Sequence, residues 1–181
     1  MKKKLYAVIL AALISAPSFA RETSNAVFVD AGIAVLSAIY NGFGVGIGYE
    51  HALSDGFSVV LNGSGFNLDY DNEAYFGMNA GLHTRCYLFS NAVKGLFMDI
   101  GGAYAYTSIE HNSQTAVSHT FELSAMAGWK IVFGKTAGLF LEPGYGYAFN
   151  FGKINRPAGV SSLKNTPSNG QRLWIGLGFA F

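Results

Sequence analysis

From Phe43 to Glu50 the chain reads FGVGIGYE, and from Arg172 to Phe181 it reads RLWIGLGFAF. In both stretches a large apolar residue alternates with a small or polar one, broken only by Trp174. A strand sends successive side chains to opposite faces, whereas a helix would scatter both sets around its axis. The chain is therefore predicted to fold as strands with one bulky apolar face and one lean face.

The same division marks eight segments between turn signals. Ala26 to Ser37 sets Val27, Val29, Ala31, Ile33 and Val35 against Asp30, Gly32 and Ala34, and Asn41-Gly42 follows as a hairpin signal. Gly42 to Leu53 sets Phe43, Val45, Ile47 and Tyr49 against Gly44, Gly46, Gly48 and Glu50. Phe57 to Asp69 is softer, because Val60 interrupts the face that carries Asn62 and Ser64. Ala74 to Leu88 opposes Phe76, Met78 and Leu82 to Asn79, Gly81, His83 and Arg85. Leu96 to Thr107 opposes Leu96, Met98 and Ile100 to Asp99 and Gly101, and the polar stretch Ser108 to Thr115 ends it. Val117 to Ile131 opposes Phe121, Leu123 and Trp129 to Glu122, Ser124, Gly128 and Lys130. After a tight connection at Phe133 to Thr136, Leu139, Leu141, Tyr145, Tyr147 and Phe149 oppose Glu142, Gly144 and Gly146. A long polar connection, Asn150 to Asn169, precedes the last strand, where Leu173, Ile175, Leu177, Phe179 and Phe181 oppose Arg172, Trp174, Gly176 and Gly178.

With the apolar faces turned inward, the outer surface would be mostly glycine and alanine with sparse charge, a poor aqueous surface. Turned outward, they form a band that suits hydrocarbon. Asp30, Glu50, Asp99, Glu122 and Glu142 then project inward with Arg85, Lys130 and Arg172, where opposite charges can pair. A membrane also demands that the sheet close, so that no backbone edge stays unpaired. The prediction is all-β: an eight-stranded antiparallel up-and-down transmembrane barrel. Aromatic residues are expected at its two rims, Tyr104, Tyr106, Tyr145, Tyr147 and Phe149 at one and Tyr49, Phe57, Trp129, Phe179 and Phe181 at the other. Pro143 falls in the outward register of the seventh strand and predicts a bulge or a strained ladder there.

Met1-Lys2-Lys3-Lys4, the apolar run Leu5 to Ile14 and the small residues around Ala20 read as a cleavable signal peptide, residues 1–20, ahead of a single barrel domain, residues 21–181. Its removal would take three of the 12 basic side chains, leaving 9 against 11 acidic ones. Nothing in that balance draws the chain to nucleic acid. Cys86 is the one cysteine, so an intrachain disulfide is excluded, and its distance from the apolar run argues against a lipid anchor.

These features resemble the small eight-stranded outer-membrane barrels, the group that includes the OmpA transmembrane domain and OmpX. GFGVGIGYEHALSDGFSVV, AGLHTRCYLF and KGLFMDIGGAYAY are also similar to outer-membrane barrel proteins of spirochaetes and Bacteroidetes. The resemblance implies location in the cell outer membrane and contact with its lipid and lipopolysaccharide or an equivalent. It also implies delivery by periplasmic chaperones and the barrel assembly machinery, for which Phe181 would be the terminal signal, and a monomeric state. It implies no activity.

The residues themselves offer little chemistry. The four histidines, His51, His83, His111 and His119, lack the spacing of a metal site, and no cofactor is expected. Ser118, His119 and Glu122 supply the residue types of a lipid A-modifying hydrolase, but neighbours 118 and 119 should face opposite sides of a strand. The glycines alternate within strands and do not form a phosphate loop. An eight-stranded barrel encloses only enough room for side chains or a small ligand. His83 therefore joins the inward charges as a packed polar interior with no catalysis, the alternatives being the lipid-modifying enzyme and a narrow channel for small solutes.

Overall fold

The computed structural model describes residues 24–70, 73–88, 93–111, 113–134, 137–155 and 169–181. The predicted signal segment and most of the long polar connection lie outside the described residues. Eight strands form one closed antiparallel barrel in sequence order: β1 (Asn25–Asp30), β2 (Phe43–Ser54), β3 (Phe57–Tyr70), β4 (Glu73–Leu88), β5 (Gly95–His111), β6 (Gln114–Phe133), β7 (Gly138–Asn155) and β8 (Gly170–Ala180). β1 closes the ring against β8, with Ala26 opposite Ala180 and Asp30 opposite Gly176. Asn25 and Phe181 meet there, Phe181 donating to the Asn25 carbonyl at 2.8 Å and accepting from the Asn25 amide at 2.9 Å.

The alternation sorts the faces. Ile47, Leu61, Leu82, Ile100, Leu123 and Leu173 are exposed on the outside, while Phe28, Val60, Phe97, Phe140 and Trp174 are buried within. The residue that blurred the third segment, Val60, thus belongs to the interior. Lean inward positions make room for large neighbours. A Cβ on Gly101 would lie 2.3 Å from the His83 ring, and one on Gly128 would lie 2.4 Å from Phe97. Val93, at φ 70°, a strained value for a β-branched residue, is fully buried in the interior cluster with Ala26 and Ala180.

Three expectations need correction. The first segment does not run as a strand to Ser37. It stops at Asp30, and Ala31–Ile39 forms a helix, α1, whose N-cap is Asp30 and whose Ile33 amide donates to Asp30 Oδ1 at 3.2 Å. A run that alternates in polarity but lacks any long apolar stripe is legible either way, and the capping bond favours the helix. The stretch Ser108 to Thr115 is mostly strand, since β5 and β6 pair out to His111 opposite Gln114. β7 likewise runs on to Asn155 against β6. Regular alternation fades there although the ladder does not end. Of the two forms expected at Pro143 the bulge is absent but the ladder is locally interrupted: the β6–β7 register is the same on both sides, Gly128 opposite Gly144 and Ile131 opposite Leu141, and the two intervening rungs are missing. Proline cannot donate to the ladder, and that loss is absorbed without a shift.

Candidate functional site

The inward positions of β2, β4, β5, β6 and β7 bring charged side chains to one level. Arg85 is at the centre. Its Nε donates to Asp99 Oδ2 at 2.8 Å, Nη1 to Glu50 Oε2 at 3.0 Å and Nη2 to Glu142 Oε1 at 2.8 Å. Lys130 Nζ binds Glu142 Oε2 at 3.0 Å and also Glu50 Oε2. All five side chains are almost wholly buried. Ions at such depth are tolerated only when each is paired and its remaining lone pairs are met. Here they are: Tyr87 donates to Glu50 at 2.7 Å, Ser58 donates to the same carboxylate, and Trp174 Nε1 donates to Glu142 at 2.8 Å.

Aromatic rings close the space around the charges. The Arg85 guanidinium lies 4.4 Å from the centre of the Phe97 ring, and Lys130 Nζ lies 4.4 Å from that of Phe140. Ring faces attract cations electrostatically, so these contacts add to the ion pairs. Phe28 and Trp174 meet edge to face at 5.5 Å beside them.

The nine interior residues named from the sequence fall into three groups. Glu50, Arg85, Asp99, Lys130 and Glu142 make the cluster, and His83 joins it through Nδ1, 2.8 Å from Asp99 Oδ1. A carboxylate only accepts, so Nδ1 carries the proton. Nε2 is buried without a hydrogen-bond partner among the described residues, in the lining of a small cavity with Asn62, Arg172 and Trp174. Glu122 and Arg172 form a second, half-buried pair, with Ser124 3.3 Å from the guanidinium. Asp30 stands apart as the cap of α1. Tyr87, Ser58 and Trp174 were not recognised as partners. The signal was available for two of them, since Tyr87 follows Arg85, and Trp174 follows Arg172, at a spacing that keeps the same face.

The candidate hydrolytic set does not assemble. Ser118 is buried inside with its Oγ 3.2 Å from Thr120, whereas His119 is exposed on the outer face with Tyr104 Oη 2.5 Å from its Nδ1. Cys86 is partly exposed, opposite the outward residues Phe57 and Met98. Among the described residues no three His, Cys, Asp or Glu side chains converge on a metal position. At the end of the barrel away from Asn25 and Phe181, a cavity of about 460 Å³ is lined by Asn41, Phe43, Asn67, Asp69, Tyr75 and Glu110.

The closed wall and this interior define the class: a small antiparallel eight-stranded β-barrel whose lumen, at the level of Arg85, is filled by paired charges and aromatic rings. Comparison with protein-family models, with curated proteins and with solved structures finds no match.

Proposed function

We propose that the protein is an integral barrel of the cell outer membrane, delivered there behind a cleaved signal peptide. It serves envelope structure or surface interaction through its external connections and catalyses nothing. The observation that carries this reading is the inversion of polarity. Val45, Ile47, Leu61, Met78, Leu82, Met98, Ile100, Leu123, Leu139, Leu173 and Leu177 are exposed on β2 to β8, while Arg85, Lys130, Glu50 and Glu142 are buried. Monomers in water rarely expose contiguous apolar patches beyond about 600 Å². An apolar band running across those seven strands suits the outer surface of a barrel solvated by lipid.

The resident partners are then outer-membrane lipid and lipopolysaccharide or its equivalent, with periplasmic chaperones and the assembly machinery acting earlier through Phe181. The barrel works as a monomer and binds no nucleic acid. Two observations weigh against the alternatives. The wall separates Ser118 from His119, which disfavours a hydrolase. The paired layer at Arg85 leaves little path for solute, which disfavours a channel.

The test is fractionation of cells expressing the full chain, with unheated and boiled samples compared by electrophoresis. A band in the outer-membrane fraction that shifts on boiling, with external protease cutting only at connections such as residues 156–168, is the expected result. A detergent-free periplasmic protein without a shift would sink the proposal. Conductance of the folded barrel in a planar bilayer would replace the closed interior with the channel reading.

A further inference from the structure

The barrel wall is one strand short over the half that lies away from Asn25 and Phe181. β1 pairs with β2 only as far as Val29 opposite Ile47, and with β8 only as far as Asp30 opposite Gly176. Beyond those rungs β2 continues to Phe43 and β8 to Gly170, each paired on its far side with β3 or β7. Their edges toward β1 have no strand partner among the described residues. The chain that would lie between them is α1. It sits against the inner face of β2, where a Cβ on Gly44 would lie 2.2 Å from Ser37 Oγ and 2.7 Å from Ile33 Cγ2.

We infer that these two edges form an open strand seat, that its occupant is the chain's own segment Ala31–Leu36, and that α1 is the open form of a seam in the wall. Continuity with the existing interface carries this. Extending the β1 register unchanged sets Ala31 opposite Val45 and Ile175, and Ile33 opposite Phe43 and Leu173. Leu36 then meets Gly170, the first residue of β8. The faces match as well. Ala31, Ile33 and Val35 would join the exposed apolar residues Phe43, Val45, Leu173 and Ile175, while the small Gly32 and Ala34 would turn inward beside Gly44, Trp174 and Arg172.

The helix holds the segment weakly. It has 9 residues, no basic side chain in its last turn, and Val35, Leu36 and Ile39 exposed. Helices this short are marginal without packing, and Ile33, Val35 and Ile39 are β-branched. Asp30 is already extended, at φ −83° and ψ 98°, so the hinge needs no change to begin a strand. An unpaired strand edge attracts any extended peptide. The nearest one, already in register, is this segment. The seat depends only on the strand register, in lipid or in water.

Disulfide trapping tests it in the full chain carrying Cys86→Ser. The pair Val29→Cys with Leu177→Cys, register partners in the structure, reports a folded barrel. The pair Ile33→Cys with Leu173→Cys reports the seat, because in the helix Ile33 touches the inner face of β2 while Leu173 is 79% exposed on the outside. The two then lie on opposite faces of the sheet unless the segment joins it. A seat filled a tenth of the time would bridge about tenfold more slowly than the control pair. Ala31→Cys with Ile175→Cys repeats the test if the first pair disturbs folding. Bridging by the control alone, in detergent and in phosphatidylcholine vesicles, would overturn the inference. So would protection of the β8 edge by an added peptide while both seat pairs stay unbridged.

Discussion

Arg85 gathers three carboxylates onto one guanidinium, and among the described residues no other side chain pairs with as many. Replacing it with methionine would fill much of the space but leave Glu50, Asp99 and Glu142 short of a partner at almost full burial. Removing one member of a buried ion cluster costs about 3–5 kcal/mol. Arg85→Met is therefore expected to lower the unfolding free energy of the folded barrel by that amount, read as a lower urea midpoint at unchanged slope. Arg85→Lys should recover only part, since an ammonium lacks the planar fork that serves several oxygens at once. An unchanged midpoint would mean that water reaches these carboxylates. Space is as tightly held as charge. A Cβ at Gly178 would lie 2.1 Å from the Val27 carbonyl of β1 and 2.6 Å from the buried Phe140 ring, whereas one at Gly170 meets nothing within 4 Å. Gly178→Ala should cost about 1–3 kcal/mol by overpacking, while Gly170→Ala, tested by the same unfolding curve, should stay near zero.

Among the elements, α1 is where sequence and structure part, and Asp30 is the residue that decides. Its carboxylate caps the Ile33 amide, and loss of such a cap costs a helix about 1 kcal/mol. If the segment exchanges between helix and strand, Asp30→Ala should raise the bridging rate of the Ile33–Leu173 cysteine pair about fivefold. An unchanged rate, with the control pair bridging normally, would mean that the cap does not govern the exchange. The rest of the wall was legible because its positions obey a period of two imposed by opposite surroundings on its faces. The strand ends were not. Beyond the apolar band, at Ser108–His111 and Asn150–Asn155, the two faces see similar surroundings, so the ladder continues without leaving a pattern. The charged interior was legible by the same parity: Arg85 and Asp99 fall on inward positions and pair across β4 and β5. What parity could not supply was depth around the ring. It could not say that Glu50 and Glu142 meet at Arg85 while Glu122 meets Arg172 instead, because that depends on the stagger of strands far apart in sequence.

For the molecule as a whole, the solvent of the outer face decides between a lipid-embedded barrel and one that lives in water. Ile100 discriminates between them. It is 66% exposed on the outer face, opposite Thr84 and Ala125. It stands roughly 10 Å along the barrel axis from Leu96, near the middle of a band about 25 Å tall. An arginine there would face hydrocarbon in a bilayer, at a cost of about 2–4 kcal/mol. At a water-facing site the same change would fall within about 0.5 kcal/mol, because nothing buried is disturbed. Ile100→Arg should therefore destabilise the barrel in lipid vesicles and do so far less in a detergent micelle, whose surface deforms around the charge. Equal stability of variant and parent in vesicles would place Ile100 in water. The exposed apolar faces would then need a protein partner, not lipid, to cover them. The expected difference, read from urea unfolding in vesicles and in micelles, ties the alternation that shapes each strand to the medium that surrounds them all.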